Sequence, residues 1–578
     1  MTALKPSTTG RQYADWTPTA VAMSGLGHRM LADQMVPVAD DAALHTDVYL
    51  PETQGRYPAV VIFGGYSAEL ASAGVPMGSN EIGSPPVFTD RGYCPVVVER
   101  RGMGRSTGEQ APHFHPQDTD DEVKVIAWAA EQPWCNGEVV LFGTSYYGVT
   151  QLLAAERKPP ALKAFFANEV CTDLYRHLIN FGGAPALYFL NVWMGANFTK
   201  GMEDLRLSPQ KRALISQLTN GRLHPLMEKI VHRKMDDLFT HFMAATPTEP
   251  ILRSYVDWIF DAKTPDHPGL PTGSSGRLDQ IDIPFTVVQN LGYLNLHQFG
   301  TYDLWENAST PADRKWMILG PAEYDLPVFS WQKEALAFFD HILRGTDNGY
   351  DAQPPVRYWV EGAESFATDI SFPPATARRR RLYLGSESTL SDQVPAEGSD
   401  SWLAVPLGLP TLGGLDTIDR QLVTFTMQIE RDTQLAGAVT ARLTFSCNEI
   451  DSFIMARLSR IDTQGTPHLL STGAVRPTTC TEDPSRSTSI EIVHDTGIRT
   501  PLVPGEPTEV WFSLTPFPVL LRAGERLQLD IGSRSDLLRG DPSDGYVQFD
   551  IPAPPYLCRN TVHFGGESWI EVDETDVH

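Results

Sequence analysis

The chain reads as an α/β protein with an all-β C-terminal part: a largely parallel sheet covered by helices, broken by a helical insertion, and followed by a β-sandwich or jelly roll. Three observations predict this. From about residue 35 to 170, short β-rich runs alternate with helical ones; from about 172 to 280, helical runs dominate; beyond about 350, short alternating strands dominate, punctuated by Gly, Pro, Asp and Ser. The expected boundaries are residues 1–171 and 281–347 for the two parts of the α/β core, 172–280 for a helical cap, and 348–578 for the β domain. With 578 residues, the chain has material for about three or four domains.

TDVYL, PAVVIF, PVVVE, GEVVLF and LKAFF are the strands of the first part. Strands separated by helices need crossover connections, which make a parallel sheet. Between the third and fourth, QDTDDEVKVIAWAAEQ has an acidic start suited to a helix N-terminus, and Val123, Ile126, Ala127 and Ala130 recur at helical spacing as the expected buried face. PQKRALISQLTN and LHPLMEKIVHRKMDDLFTHFM form the cap, whose Tyr188, Phe189, Trp193 and Phe198 serve as packing or pocket-wall residues. Strands resume at IPFTVVQN and KWMILG, and the amphipathic WQKEALAFFDHILRG closes the core near residue 345. RLYLG, LVTFTMQIE, VTARLTFSC, DSFIMARLSRID, PTEVWFSL and ERLQLDIGS supply the β domain. The basic run at 378–381 precedes one of these strands and reads as a solvated strand end.

A formal net charge of −25 opposes nucleic-acid binding, which needs a basic surplus. No run is long and apolar enough to span a bilayer, and MTALKPSTTGRQYADW lacks the basic and apolar regions of a signal peptide, so a cytoplasmic protein without membrane partners is expected. The six cysteines are widely spaced without a CxxC pair and read as buried thiols. No metal cluster or phosphate loop appears, and RGMGRSTG lacks dinucleotide-binding spacing, so no cofactor or metal is expected.

The chemistry-bearing stretch is LFGTSYYGVTQLLAA. Ser145 stands in a Gly-x-Ser-x-x-Gly turn between a strand, EVVLF, and a helix, VTQLLAAERK. Such a turn lifts a serine hydroxyl above a sheet and needs small residues where the backbones crowd.

WCNGEVVLFGTSYYGVTQ resembles the elbow of the cocaine esterase and X-Pro dipeptidyl-peptidase (CocE/NonD-like) family of serine hydrolases. VPVADDAALHTDVYLP, VVVERRGMGRSTGE, FFDHILRG and LLRAGERLQLDIGSRS resemble further segments of that family in the same order, over nearly the whole chain. The resemblance implies an α/β-hydrolase fold with an inserted helical cap and a C-terminal jelly roll. It also implies an oxyanion hole made by the backbone N–H of Tyr146 and the hydroxyl of Tyr66, in VVIFGGYSAE.

The family's acid falls in a Gly-Trp-x-Asp turn and its histidine in a Gly-Pro-Trp-x-His turn; the matching stretches here are QNLGYLNLHQFG and ILGPAEYDLPVF. Asn295 therefore stands at the acid position and Tyr324 at the histidine position. Asparagine carries no charge to stabilise an imidazolium, and a phenol with a pKa near about 10 stays protonated at neutral pH. Losing the histidine of such a triad costs on the order of a millionfold in turnover. His297 and Glu323 are the nearest replacements for base and orienting acid, and would require the loops to rearrange; His113 and His115 lie on another loop that could overhang the site.

Three readings follow. The first is hydrolysis or acyl transfer at an ester, amide or thioester carbonyl of a small molecule, with Ser145 as nucleophile and a non-standard base. The second is a non-hydrolytic carbonyl reaction in specialised metabolism (cyclisation, condensation, isomerisation or C–C cleavage), with Ser145, Tyr66 and Tyr324 polarising the substrate. The third is a catalytically silent binding protein.

Overall fold

The computed structural model describes residues 28–66, 81–83, 85–111, 113–185, 277–291, 293–294, 297–321, 328–352, 354–406, 421–534, 547–548 and 554–577. The cap helices and the four aromatic residues assigned to them lie outside these, as do Asn295, Glu323 and Tyr324.

The first sheet is built from β1 (His28–Ala39), β2 (Ala42–Pro51), β3 (Tyr57–Gly64), β4 (Cys94–Glu99), β5 (Cys135–Thr144), β6 (Leu162–Asn168), β7 (Phe285–Asn290), β8 (Lys315–Gly320), β9 (Val356–Val360) and β10 (Ser365–Asp369). Their spatial order is β1-β2-β4-β3-β5-β6-β7-β8-β9-β10. Pairing is parallel from β4 through β9 and antiparallel at both edges. The central strands are continuous apolar runs because both faces are covered. Val60 and Ile62 pack on one side, whereas Ala59, Val61 and Phe63 pack on the other, following the two-residue period of a strand.

The sheet extends past residue 347. Val-Arg-Tyr-Trp-Val of β9 continues the parallel ladder, with Met317 opposite Val356, and β10 completes that edge. The first sheet thus takes up a stretch that the sequence placed with the β domain.

Helix α1 (Pro116–Glu131) forms where expected but buries a different face. Val125, Ile126 and Ala129 turn inward with Asp118, Asp121 and Glu122, while Ala127 is exposed and Val123 and Ala130 are half-buried. For the two aspartates the reason is ionic. Arg101 grips Asp121 through two bonds of 2.9 and 2.8 Å, and Arg100 reaches Asp118 at 2.8 Å. Carboxylates can be buried when so paired, and periodicity counted on apolar residues alone overlooks them.

Helix α2 (Tyr146–Glu156) follows β5 directly, and α3 (Gln298–Asn307) follows the loop after β7. Helix α4 (Val328–Arg344) covers the sheet with Trp331, Ala335, Leu336, Phe338 and Phe339.

The C-terminal part is a strand-rich β domain with its own core, including Leu382, Phe425, Leu443, Leu529 and Ile570. The basic run lies within β11 (Arg378–Gly385), not ahead of it. Arg379 pairs with Asp573 at 2.9 Å, Arg380 with Glu574 at 2.9 Å and Arg381 with Glu571 at 2.8 Å, all on the neighbouring antiparallel strand. These are cross-strand ion pairs. Five cysteines are buried thiols and Cys480 is half-buried. No helix among the described residues is long and apolar enough to cross a membrane.

Candidate active site

In parallel α/β sheets, loops leaving the carboxyl ends of the strands converge on a crevice. Here those ends are in register: Gly64 lies opposite Glu99, Thr144 opposite Asn168, and Asn290 opposite Gly320. Tyr66, Ser145 and His297 leave from β3, β5 and β7 at this end.

Ser145 has φ 56° and ψ −111°, a backbone conformation that a non-glycine residue adopts only when its surroundings enforce it. The Ser145 N–H donates to the Asn168 carbonyl at 2.9 Å, and the Thr144 N–H donates to the Glu81 carbonyl at 2.9 Å. The helix can begin this close to β6 because position 148 is glycine: a Cβ there would lie 2.6 Å from the Asn168 oxygen.

Tyr66 is 2% exposed and packs between the rings of Tyr146 and Tyr147. Its hydroxyl donates to Glu81 Oε1 at 3.1 Å. Burial raises the pKa of this carboxyl well above the usual range, opposed first by the Tyr66 hydroxyl and then by the nearby Tyr146 backbone and Ser145. The hydroxyl expected to hold an oxyanion therefore meets Glu81, which sequence reasoning did not single out. An acid in GSNEIGS carries no spacing signal linking it to the elbow.

The Tyr146 phenol points elsewhere. It stacks on Phe114 with ring centres 4.1 Å apart, and its oxygen lies 3.4 Å from His113 Nδ1. His113 is buried against Arg100, at 3.0 Å, rather than overhanging in solvent. His115 caps α1, its Nδ1 accepting from the Gln117 N–H at 3.2 Å.

An imidazole does stand beside the serine. His297 Nε2 lies 3.3 Å from Ser145 Oγ. The side chain comes from the loop after β7, two residues beyond Asn295, whereas the segment with Tyr324 follows β8. His297 adopts a left-handed conformation, φ 67°, at the start of α3. Its N–H donates to the His177 carbonyl at 3.4 Å and its carbonyl accepts from the Gly300 N–H at 3.0 Å. It is 3% exposed, and burial together with neighbouring His177 lowers its pKa to about 3. The ring is therefore neutral at ordinary pH, and in the Nδ1–H tautomer Nε2 is placed to accept a hydrogen bond from the Ser145 hydroxyl.

His177 links this site to the β domain. Its Nε2 lies 3.3 Å from Glu491 Oε2, the same oxygen that accepts from Arg176 Nη1 at 2.6 Å. Arg176 also holds Asp173 at 2.8 Å. Behind β7, Glu169 accepts from the Asn290 N–H at 2.6 Å and from the Gln289 side chain, buttressing the strand end that launches the His297 loop.

Asp33, His45 and Asp47 are the only described residues grouped closely enough to resemble a metal-ligand set. His45 already pairs with Asp33 at 2.8 Å and Glu99 at 3.0 Å, and Arg105 pairs with Asp33.

Comparison with known proteins agrees with this architecture. Residues 40–324 match the family model described as X-Pro dipeptidyl-peptidase (S15 family), and residues 348–569 match that of the X-Pro dipeptidyl-peptidase C-terminal non-catalytic domain. The chain is 26% identical to the cocaine esterase of Rhodococcus sp. (strain MB1 Bresler) over 505 residues, covering 78% of this chain and 83% of that one. A CocE/NonD family hydrolase from Staphylococcus aureus superposes with a TM-score of 0.74 at 20% identity, covering 94% of each chain. An aminopeptidase from a marine-sediment Thaumarchaeota archaeon superposes with a TM-score of 0.65 at 17% identity, covering 95% of this chain and 97% of that one. With a matching α/β core and β domain, an elbow serine at the carboxyl end of the sheet and relatives along most of its length, the chain belongs to the CocE/NonD-like X-Pro dipeptidyl-peptidase family of α/β-hydrolases.

Proposed function

We propose that the protein is a serine hydrolase acting on an ester, amide or thioester carbonyl of a small molecule, with Ser145 as nucleophile and His297 as base. The observation that carries this is the 3.3 Å approach of His297 Nε2 to Ser145 Oγ. Resting-state catalytic hydrogen bonds are commonly somewhat long and tighten when substrate binds. Ser145 Oγ attacks the carbonyl carbon as its proton passes to Nε2. The negative oxygen is held by the Tyr66 hydroxyl and the Tyr146 N–H, each worth about 3 kcal/mol in such sites. Collapse breaks the bond to the leaving group, which takes the proton from His297. Water, deprotonated by the same imidazole, then releases the acid and restores the serine.

A fluorophosphonate probe read by intact mass tests this: one adduct on the folded protein, lost in Ser145→Ala, is expected. Absence of an adduct would overturn the nucleophile assignment.

The low basicity of His297 sets the pH dependence. Burial disfavours the imidazolium, so the neutral base persists as pH falls below the ordinary histidine value. The kcat/KM for a chromogenic ester is expected to have no His297 limb between pH 7 and about 5, and to fall only as the acid range near about 3 is approached. An acid limb centred near the ordinary histidine value would contradict this assignment.

The same low basicity favours a second reading, in which the hydroxyl, imidazole and Tyr66 polarise a bound carbonyl without an acyl-enzyme. Under it, Ser145→Ala retains activity on the true substrate whereas Tyr66→Phe loses it; the first reading requires Ser145→Ala to be inactive.

A further inference from the structure

The carboxyl of Glu81 meets the donors that the proposed reaction reserves for a negative oxygen. The Tyr66 hydroxyl reaches Oε1 at 3.1 Å, and the carboxyl lies close enough to the Tyr146 backbone and Ser145 to feel both. A carboxyl oxygen is a close stand-in for the carbonyl oxygen of a bound ester, because both are planar acceptors of similar size. A Tyr66 hydroxyl already engaged is not available to an incoming carbonyl, and a carboxyl beside the Tyr146 N–H leaves it no room.

The contact is anchored at Glu81 and at the residues that follow it. The Glu81 carbonyl is tied to the Thr144 N–H at 2.9 Å, at the last residue of β5. Ile82, next in the chain, is fully buried, and its carbonyl accepts from Gln332 on α4 at 3.4 Å. Gly83, at φ 68°, turns the chain against the Gln332 side chain, where a Cβ would come within 2.6 Å. The backbone at residues 81–83 thus presents the carboxyl to the elbow, and rotation of the Glu81 side chain would clear the hole.

We infer that Glu81 is an autoinhibitory plug: its carboxyl occupies the oxyanion hole at rest, and the hole becomes competent only when that side chain turns away. This rests on the hydrolytic reading, and it adds a control of reactivity at the same serine. Apparent reactivity is then scaled by the fraction of molecules with the hole open.

The test compares wild type, Glu81→Ala and Glu81→Asp, the last retracting the carboxyl by one methylene while keeping the functional group. Thermal melts establish that each variant is folded, and the aspartate variant carries the test if alanine prevents folding. Rates of fluorophosphonate labelling are measured, and trifluoroacetate binding is followed by 19F NMR, which reads the hole without any bond to Ser145. The folded variant is expected to label about tenfold faster than wild type or more, and to bind trifluoroacetate where wild type does not. Labelling at the wild-type rate or slower overturns the plug, a slower rate marking the carboxyl as a group the reaction needs. If no protein labels, trifluoroacetate decides: binding to the variant alone supports the plug and rejects the nucleophile, whereas no binding to either rejects both.

Discussion

His297→Ala is expected to lower ester turnover by about a thousandfold or more, with KM changed far less than kcat. The imidazole is the group placed at 3.3 Å from the serine oxygen, and without it the hydroxyl must lose its proton to water. In related triads, losing histidine costs about as much as losing serine, and the residual oxyanion stabilisation still gives about a thousandfold over water. His297→Gln separates chemistry from packing. It fills similar space but is not basic, so it is expected to be nearly as inactive as alanine while melting closer to wild type. Undiminished kcat in both folded variants would place the base elsewhere. Glu323 and Tyr324, on the segment following β8, would be the next residues to replace.

Glu491→Ala is expected to destabilise the protein by about 3 kcal/mol and to slow turnover roughly tenfold or more. Glu491 is 9% exposed and bonded to Arg176 and His177, so its removal leaves a buried guanidinium with fewer partners. Arg176 keeps Asp173, which holds the loss to the lower end for a broken buried pair. Turnover suffers because His177 carries the carbonyl that receives the His297 N–H. A loosened His177 lets the imidazole drift, and small misplacements of a catalytic group are costly. Chemical denaturation and steady-state kinetics provide the two readouts. A variant as stable and as active as wild type would refute the link.

This contribution has a definite pH dependence. Burial pushes the Glu491 carboxyl up, but Arg176 and His177 outweigh it and bring the pKa down to about 2. A carboxyl with a depressed native value binds its proton more readily in the unfolded chain, so its stabilisation is complete above the ordinary glutamate range. It is lost as pH falls from there through about 2. The stability gap between wild type and Glu491→Ala is therefore expected to be widest near neutrality and to narrow in acid.

The sequence exposed the central strands because each is a continuous apolar run, and a strand buried on both faces needs no partner to reveal it. Ser145 was legible for a similar reason: the glycines, the strand before and the helix after it all lie within one short stretch. The face of α1 was misread because Asp118 and Asp121 are buried by the arginines they meet. That the first sheet gains a strand beyond residue 347 was not legible, because β9 is distinguished by the strand it pairs with rather than by its residues.

What the sequence determined by itself was the class of fold, the family and the serine, all encoded in local pattern and composition. The tertiary structure alone decided what surrounds that serine. A left-handed turn at His297 aims an imidazole at it, a chain segment entering beside β5 brings Glu81 to the Tyr66 hydroxyl, and Glu491 bonds His177 from 314 residues away in sequence. Such groups are selected by proximity and charge across the fold, and neither leaves a periodic trace in the order of residues.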